Sequence, residues 1–325
     1  MQHLLQLNEN PLPPLPSVAD EITRQVGSVN RYPEFFPEHL KSAIAGWLGL
    51  PEEWVVVGSG SVGVALQALQ AAVRPGRQLV YGWRNFDAYP LLARMTGARP
   101  VQVPLLPGGH QDIAAIAKAA AADTDAVIVC NPHNPTGRLV APEELRELVL
   151  SVPSDTVVVL DEAYIEFVRP DERPASLEWT QEFSNLLVLR TFSKAYGLAG
   201  MRVGYGVASP ELAERINAFQ LPFAMSSLSL AAVEASLKAE DELRERVEFL
   251  VGERERVLTG VRSTGWQALP SHTNFFWLDE PARVDAVRTR LEAAGVAARY
   301  YPGEGVRITV GDRAANDAVL GALTH

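Results

Sequence analysis

Short β-branched runs alternate with longer stretches of helical periodicity as far as residue 207, and this alternation restricts the fold more than any other feature. The runs are Trp54–Val57, Gln78–Tyr81, Pro100–Val103, Ala126–Cys130, Thr156–Leu160, Leu186–Leu189 and Val203–Val207. Runs such as Val157–Leu160 are apolar at every position, as in strands covered on both faces. Between the first two, Val62, Ala65, Leu66, Leu69, Ala72 and Val73 fall on one helical face within 61–73. Strands alternating with helices imply a mainly parallel, doubly wound α/β sheet. A short helix is expected over 38–50. After about residue 226 the texture changes: 227–262 is mostly helical with dense charge, followed by a strand at Asn274–Leu278, a helix at 282–294 and a strand at 305–310. That reads as a smaller α+β unit. Pro11, Pro13, Pro14 and Pro16 point to an extended arm over 1–30. The expected division is an N-terminal arm joining the small domain (1–30), a large domain (31–235) and a small C-terminal domain (236–325).

Composition removes several classes. Lys and Arg number 29 against 39 Asp and Glu, a net charge of −10, which argues against a nucleic-acid binder. A few local arginines could still bind an anionic small substrate. Hydrophobic residues make up 47%, too many for a disordered chain. The single cysteine, Cys130, excludes an internal disulfide and reads as a buried thiol. No signal peptide and no membrane-spanning run is evident, so a soluble cytoplasmic protein is expected, without a metal.

Polar residues gather at four strand ends, where open α/β sheets bind ligands. Trp54–Val57 leads into Gly58-Ser59-Gly60-Ser61, and Ala126–Cys130 into Asn131-Pro132-His133-Asn134-Pro135-Thr136-Gly137. Thr156–Leu160 leads into Asp161-Glu162-Ala163-Tyr164, and Leu186–Leu189 into Arg190-Thr191-Phe192-Ser193-Lys194. The first turn is a phosphate candidate, because Gly58 and Gly60 permit close approach and the helix opened by Ser61 and Val62 has no acid in its first turn. A plain strand-to-helix turn gives the same pattern. Gly58, Gly60 and Gly63 also spell G-x-G-x-x-G, but the next strand ends Tyr81-Gly82-Trp83-Arg84 without the acid a dinucleotide site needs. A dehydrogenase would also leave Asp161 and Lys194 idle.

Lys194 lies in mostly apolar sequence, where desolvation lowers a lysine's pKa and makes it a nucleophile for carbonyls. Eight residues on, Arg202 could fold back past Gly197 and Gly200 toward Ser193. A surface lysine with an arginine salt bridge is the competing reading. Asp161 follows an apolar run, and a buried carboxylate needs a cationic or hydrogen-bonding partner. A protonated pyridine nitrogen would supply one, and Asn134 and Tyr164 could donate to a phenolate oxygen.

Taken together, LNENP, NPHNPTG, DEAY and RTFSKAYGLAGMRVGY resemble the histidinol-phosphate and aromatic amino acid (phenylalanine-type) aminotransferases. These are class II enzymes of fold type I that use pyridoxal 5′-phosphate. The resemblance extends from LNEN at 7–10 to RITVGD at 307–312. It implies a mainly parallel seven-stranded sheet in a large domain with a smaller α+β domain. It implies that Lys194 carries the cofactor as an aldimine and, once released, shuttles a proton, and that Asp161 keeps the pyridine nitrogen protonated. Asn134 and Tyr164 would hold the ring oxygen, and Phe86 would stack on the ring. Ser61, Val62, Thr191, Ser193 and Arg202 would hold the phosphate. Tyr32 would reach the phosphate of a partner subunit, which implies a homodimer. Arg307 would bind the substrate carboxylate, with Asn10, Asn134 and Phe223 also facing substrate.

The chain departs from the pattern in three places. Val62-Gly63 replaces an acidic pair frequent after the serine of the phosphate turn. Phe86 stands where tyrosine is more usual. The sequence starts close to its LNEN motif, ahead of which many relatives carry a leader, so a short N-terminal lid is expected. Histidinol-phosphate enzymes usually carry Tyr-Asn after the proline matching Pro222, whereas this chain reads Leu221-Pro222-Phe223-Ala224-Met225. That favours an apolar side chain, hence an aromatic amino acid with 2-oxoglutarate as acceptor. Histidinol-phosphate transamination is the alternative, and threonine-phosphate decarboxylase fits less well. Transcription regulators with a fold type I domain carry a helix-turn-helix segment, for which residues 1–30 leave no room.

Overall fold

The computed structural model describes residues 2–324. It opens on a two-residue strand, β1 (His3–Leu4), followed by a helix at Pro16–Gln25. The expectation of an extended arm over 1–30 is therefore corrected at Pro16. Proline in the first turn forfeits no helical hydrogen bond, and its fixed φ suits the helix start. Val18 then buries its side chain, and the helix packs on a second at Ser227–Leu237.

The seven expected strands form one sheet: β2 (Val55–Ser59), β3 (Gln78–Trp83), β4 (Arg99–Pro104), β5 (Thr124–Cys130), β6 (Val157–Asp161), β7 (Leu186–Thr191) and β8 (Val203–Ala208). Their order is β2-β8-β7-β6-β5-β3-β4, with β8 antiparallel to both neighbours and the other pairs parallel. The carboxyl ends of all strands but β8 therefore collect on one edge. Register places Cys130 beside Asp161 and Asp161 beside Leu189.

Both faces of the sheet are buried except along the edge strand β4, where only Val103 is buried, and this two-sided burial explains the apolar runs of the inner strands. Val56, Leu79, Ile128, Val159 and Leu187 face the helices Gly60–Ala72, Tyr89–Thr96 and Pro210–Asn217. The alternate residues Val80, Val127, Val129, Val158 and Val188 face Ile113–Ala119 and Pro142–Ser151. Each such side chain contributes ~1.5–3 kcal/mol when fully buried.

The C-terminal part holds β9 (Phe275–Leu278), β10 (Val296–Ala297), β11 (Arg299–Tyr301) and β12 (Gly305–Thr309). The antiparallel order β11-β12-β9 makes a three-stranded sheet, and β10 pairs with β1 in parallel. The charged, mostly helical stretch expected over 227–262 forms two helices, Ser227–Leu237 and Glu240–Ser263. Through β1 the N-terminal segment is tied to the C-terminal part, and residues 6–10 then cross to the carboxyl edge of the large sheet, where Asn10 meets the Lys194 loop. Among the described residues no helix is long and apolar enough to cross a membrane.

Candidate active site

A cavity of about 210 Å³ opens at that carboxyl edge. Ser61, Val62, Phe86, Asn134, Asp161, Tyr164, Thr191, Ser193, Lys194 and Arg202 all line it, so the four polar strand ends meet in one place. Asp161 ends β6 with its side chain inward, while Glu162, next along, turns away and pairs with Arg190 at 2.9 Å.

One end of the cavity is built for an anion. The helix Gly60–Ala72 begins with no acidic residue in its first turn and no side-chain cap. Arg202 lies against this start, its Nη2 donating to the Ser59 carbonyl at 3.4 Å. Gly60 is required here: its φ is +74°, and a Cβ would collide with the Arg202 guanidinium. A Cβ on Gly204 would likewise strike the Ser61 backbone nitrogen, so glycine on β8 lets the helix start lie against the strand. The hydroxyls of Thr191 and Ser193 lie 3.0 Å apart beside it.

Asp161 sits deeper. Its Oδ2 accepts from the Tyr89 hydroxyl at 2.8 Å and its Oδ1 from the Ala163 amide at 3.2 Å. Burial pushes its carboxyl pKa up, and the Tyr89 and Ala163 hydrogen bonds and the Lys194 charge work against that. A buried carboxylate held this way is ready for a cationic N–H. Cys130 lines the same cavity, but burial drives its pKa far up and it remains a neutral thiol. His133 in the adjoining turn is buried, bonded to Thr136 at 2.8 Å, and pushed by burial down to about 3, so it acts as a neutral strut.

Lys194 is partly buried, and its Nζ donates to the carbonyls of Leu7 at 3.2 Å and Asn8 at 3.0 Å. Desolvation, then the charges of Arg307 and Arg202, lower its pKa from 10.5 to about 8, against the opposing pull of Glu9 and Asp161. A stability consequence follows. In the unfolded chain this amine keeps its ordinary pKa, so between about pH 8 and 10.5 the unfolded state binds more protons and stability rises with pH. At neutral pH the cost is fully present. Lys194→Met is expected to stabilise the cofactor-free protein by up to ~3 kcal/mol at pH 7, less whatever solvent at the cavity mouth screens. Denaturant unfolding across this range should show the advantage shrinking toward pH 10.5; an advantage independent of pH contradicts the assignment.

Arg307, on β12, is buried, and its Nη1 donates to Asn134 Oδ1 at 2.6 Å while Nη2 donates to the Gln6 carbonyl. This fixes the Asn134 amide with its oxygen toward the guanidinium, leaving Nδ2 as the donor on its other side. The Arg307 Nε is buried without a partner, and among the described residues no carboxylate pairs with this guanidinium. A buried cation of that kind calls for an anion.

Of the expected site residues, Arg307 reaches the cavity wall only through Asn134, and three others lie elsewhere in the single chain. Asn10 does not line the cavity; its Nδ2 donates to the carbonyls of Lys194 and Ala195, both at 3.0 Å, and so braces the lysine loop. Phe223 is 43% exposed and packs on Tyr32, with ring centroids 5.0 Å apart. Tyr32 is 86% exposed. Sequence reasoning missed Tyr89, Asn8 and Glu9. Tyr89 reaches Asp161 across 72 positions, and nothing local to FDAYP signals it. Asn8 and Glu9 belong to LNENP, and that motif is the sequence signal that points to them.

The donor set fits pyridoxal phosphate. An acid-free helix start with a guanidinium and two hydroxyls suits the phosphate, a buried carboxylate suits a protonated ring nitrogen, and an amine of lowered pKa lines the same cavity.

Over residues 2–323 the chain matches the family described as aminotransferase class I and II. It is 47% identical over 316 residues to the aromatic amino acid aminotransferase of Streptomyces coelicolor, covering 97% of this chain and 88% of that protein. It is 46% identical over 325 residues to the aromatic amino acid aminotransferase of Corynebacterium jeikeium, covering 98% and 87%. The crystal structure of histidinol-phosphate aminotransferase from Sinorhizobium meliloti in complex with pyridoxal-5′-phosphate is similar at a TM-score of 0.92 and 29% identity, covering 99% of this chain and 90% of that one.

Proposed function

The chain belongs to the class I and II aminotransferases, and we propose that it transfers the amino group of an aromatic L-amino acid (phenylalanine, tyrosine or tryptophan) to 2-oxoglutarate, using pyridoxal 5′-phosphate. One observation carries the chemistry: an amine of lowered pKa and a buried carboxylate line the same cavity, beside a buried arginine that lacks an acid. When bound, the cofactor supplies an aldehyde for the amino group and a protonated ring that withdraws electrons.

This chain's residues do the rest. Asp161 holds the proton on the ring nitrogen. Ser61, Val62, Thr191, Ser193 and Arg202 anchor the phosphate, and Phe86 covers a ring face. Asn134 Nδ2 and the Tyr164 hydroxyl donate toward the ring oxygen. Arg307 receives the substrate carboxylate and so sets which bond at the α-carbon faces Lys194. The Lys194 Nζ, whose pKa is lowered to about 8, would take the α-proton and return it to the cofactor carbon that carried the aldehyde. Arg307→Ala is expected to raise KM for phenylalanine, glutamate and their oxo acids alike, by ~10²-fold for loss of a buried charge pair. Steady-state kinetics with both classes checks this; a defect confined to aromatic substrates assigns Arg307 to the side-chain pocket instead.

The names of the curated relatives support aromatic substrates, as do Leu7 and Phe86 in the cavity wall. The similar solved structure supports histidinol phosphate as the second reading. Comparing kcat/KM for phenylalanine and histidinol phosphate, with 2-oxoglutarate as acceptor, separates them. A higher value for phenylalanine is expected, and the reverse order overturns the substrate assignment. We also propose a homodimer in which Tyr32 reaches the neighbouring phosphate. The exposed apolar cluster of Tyr32, Phe35, Leu221 and Phe223 supports this, being a patch that a partner would cover.

A further inference from the structure

Asn8 is 1% exposed yet has a φ of +54°, a left-handed conformation rare outside glycine that asparagine tolerates better than most. A buried residue held this way is over-determined by its surroundings. Its backbone N–H donates to Thr309 Oγ1 at 3.0 Å, and the Thr309 hydroxyl donates back to Asn8 Oδ1 at 3.2 Å. Its carbonyl accepts from Lys194 Nζ at 3.0 Å and from Asn274 Nδ2 at 3.1 Å. Its amide Nδ2 donates to the Tyr164 hydroxyl oxygen at 2.9 Å. This one residue of the N-terminal segment therefore touches the lysine, the tyrosine and the C-terminal sheet together.

The direction of the last bond matters. Asn8 Oδ1 is the acceptor that the Thr309 hydroxyl has among the described residues, so turning the amide would orphan that hydroxyl proton, and the NH2 is left facing Tyr164. A phenol oxygen that accepts from Asn8 keeps its own proton for another acceptor. Tyr164 lines the cavity, and its ring is packed edge-on against Phe275 with centroids 5.1 Å apart, so the ring cannot swing away.

We propose that Asn8 is a positioning residue: by donating to the Tyr164 oxygen it turns the Tyr164 hydroxyl proton into the cavity, toward the ring oxygen of bound pyridoxal phosphate. This rests on the cofactor reading above and adds a residue outside the cavity lining to it. A proton donated to that oxygen stabilises its anionic form, so losing it should raise the pH at which the bound cofactor's visible absorption changes.

The test is that absorption titration in the cofactor-loaded protein. Tyr164→Phe should move the midpoint up by about one pH unit, tenfold in the proton equilibrium. Asn8→Asp keeps the shape and the positive φ but makes position 8 an acceptor, and should move it in the same direction. Asn8→Gly keeps the backbone conformation and deletes only the amide; it should give a smaller upward shift, and it stands in should the buried carboxylate prevent folding. In the Tyr164→Phe background both Asn8 changes should add little. The proposal is overturned if Asn8→Gly and Asn8→Asp titrate like the parent, if Tyr164→Phe itself does not shift, or if the Asn8→Asp shift persists undiminished without the Tyr164 hydroxyl, which would make it a simple charge effect. A parent protein with no titrating visible band would instead remove the cofactor reading itself.

Discussion

Lys194→Ala is expected to lower kcat by more than ~10⁴-fold while leaving the protein folded. The chain has four lysines, and among the residues lining the cavity Lys194 is the sole amine. On the proposed mechanism the substitution removes both the group that carries the cofactor and the base that moves the α-proton, and no other amine lines the cavity to replace it. His133, the nearest histidine in the strand-end turns, is buried and pushed to a pKa of about 3. The residues proposed to anchor the phosphate are untouched, so the variant should still retain cofactor on dialysis. Steady-state transamination with phenylalanine and 2-oxoglutarate measures the loss, and activity near the parent's would reject the role.

Asp161→Ala should rank second, with a fall greater than the ~10²–10⁴-fold typical of one acid or base. On the proposed mechanism it removes the counter-charge that keeps the ring nitrogen protonated, and with it the electron withdrawal on which α-proton removal depends. Stability distinguishes this from unfolding. Burial raises the Asp161 pKa, so its ionised form disfavours the folded state and its removal forfeits little beyond the bonds from Tyr89 and Ala163. Intact thermal unfolding with a large kinetic loss is the expected pattern. A loss under tenfold would make Asp161 a structural carboxylate.

The sheet was legible because strands buried on both faces write themselves as continuous apolar runs, and their ends were legible because polar residues there interrupt those runs. Pro16 was misread because the same residue breaks a helix interior and opens a helix at its first turn; local composition does not tell the two apart. The ten cavity residues named at strand ends, on Phe86 and on Arg202 share one feature: each follows a local pattern. Tyr89 and Asn8 reach their partners across 72 and 156 positions, and such contacts leave no periodic trace. Asn10 sits in a recognisable motif, yet only coordinates reveal that its amide braces the Lys194 loop rather than facing the cavity.

The account is tested most directly by trapping. The protein is loaded with pyridoxal phosphate, reduced with borohydride, digested and mapped by mass spectrometry. The label should reside on Lys194 and be absent from Lys41, Lys118 and Lys238; label on another lysine, or none on a protein that has bound the cofactor, contradicts the assignment.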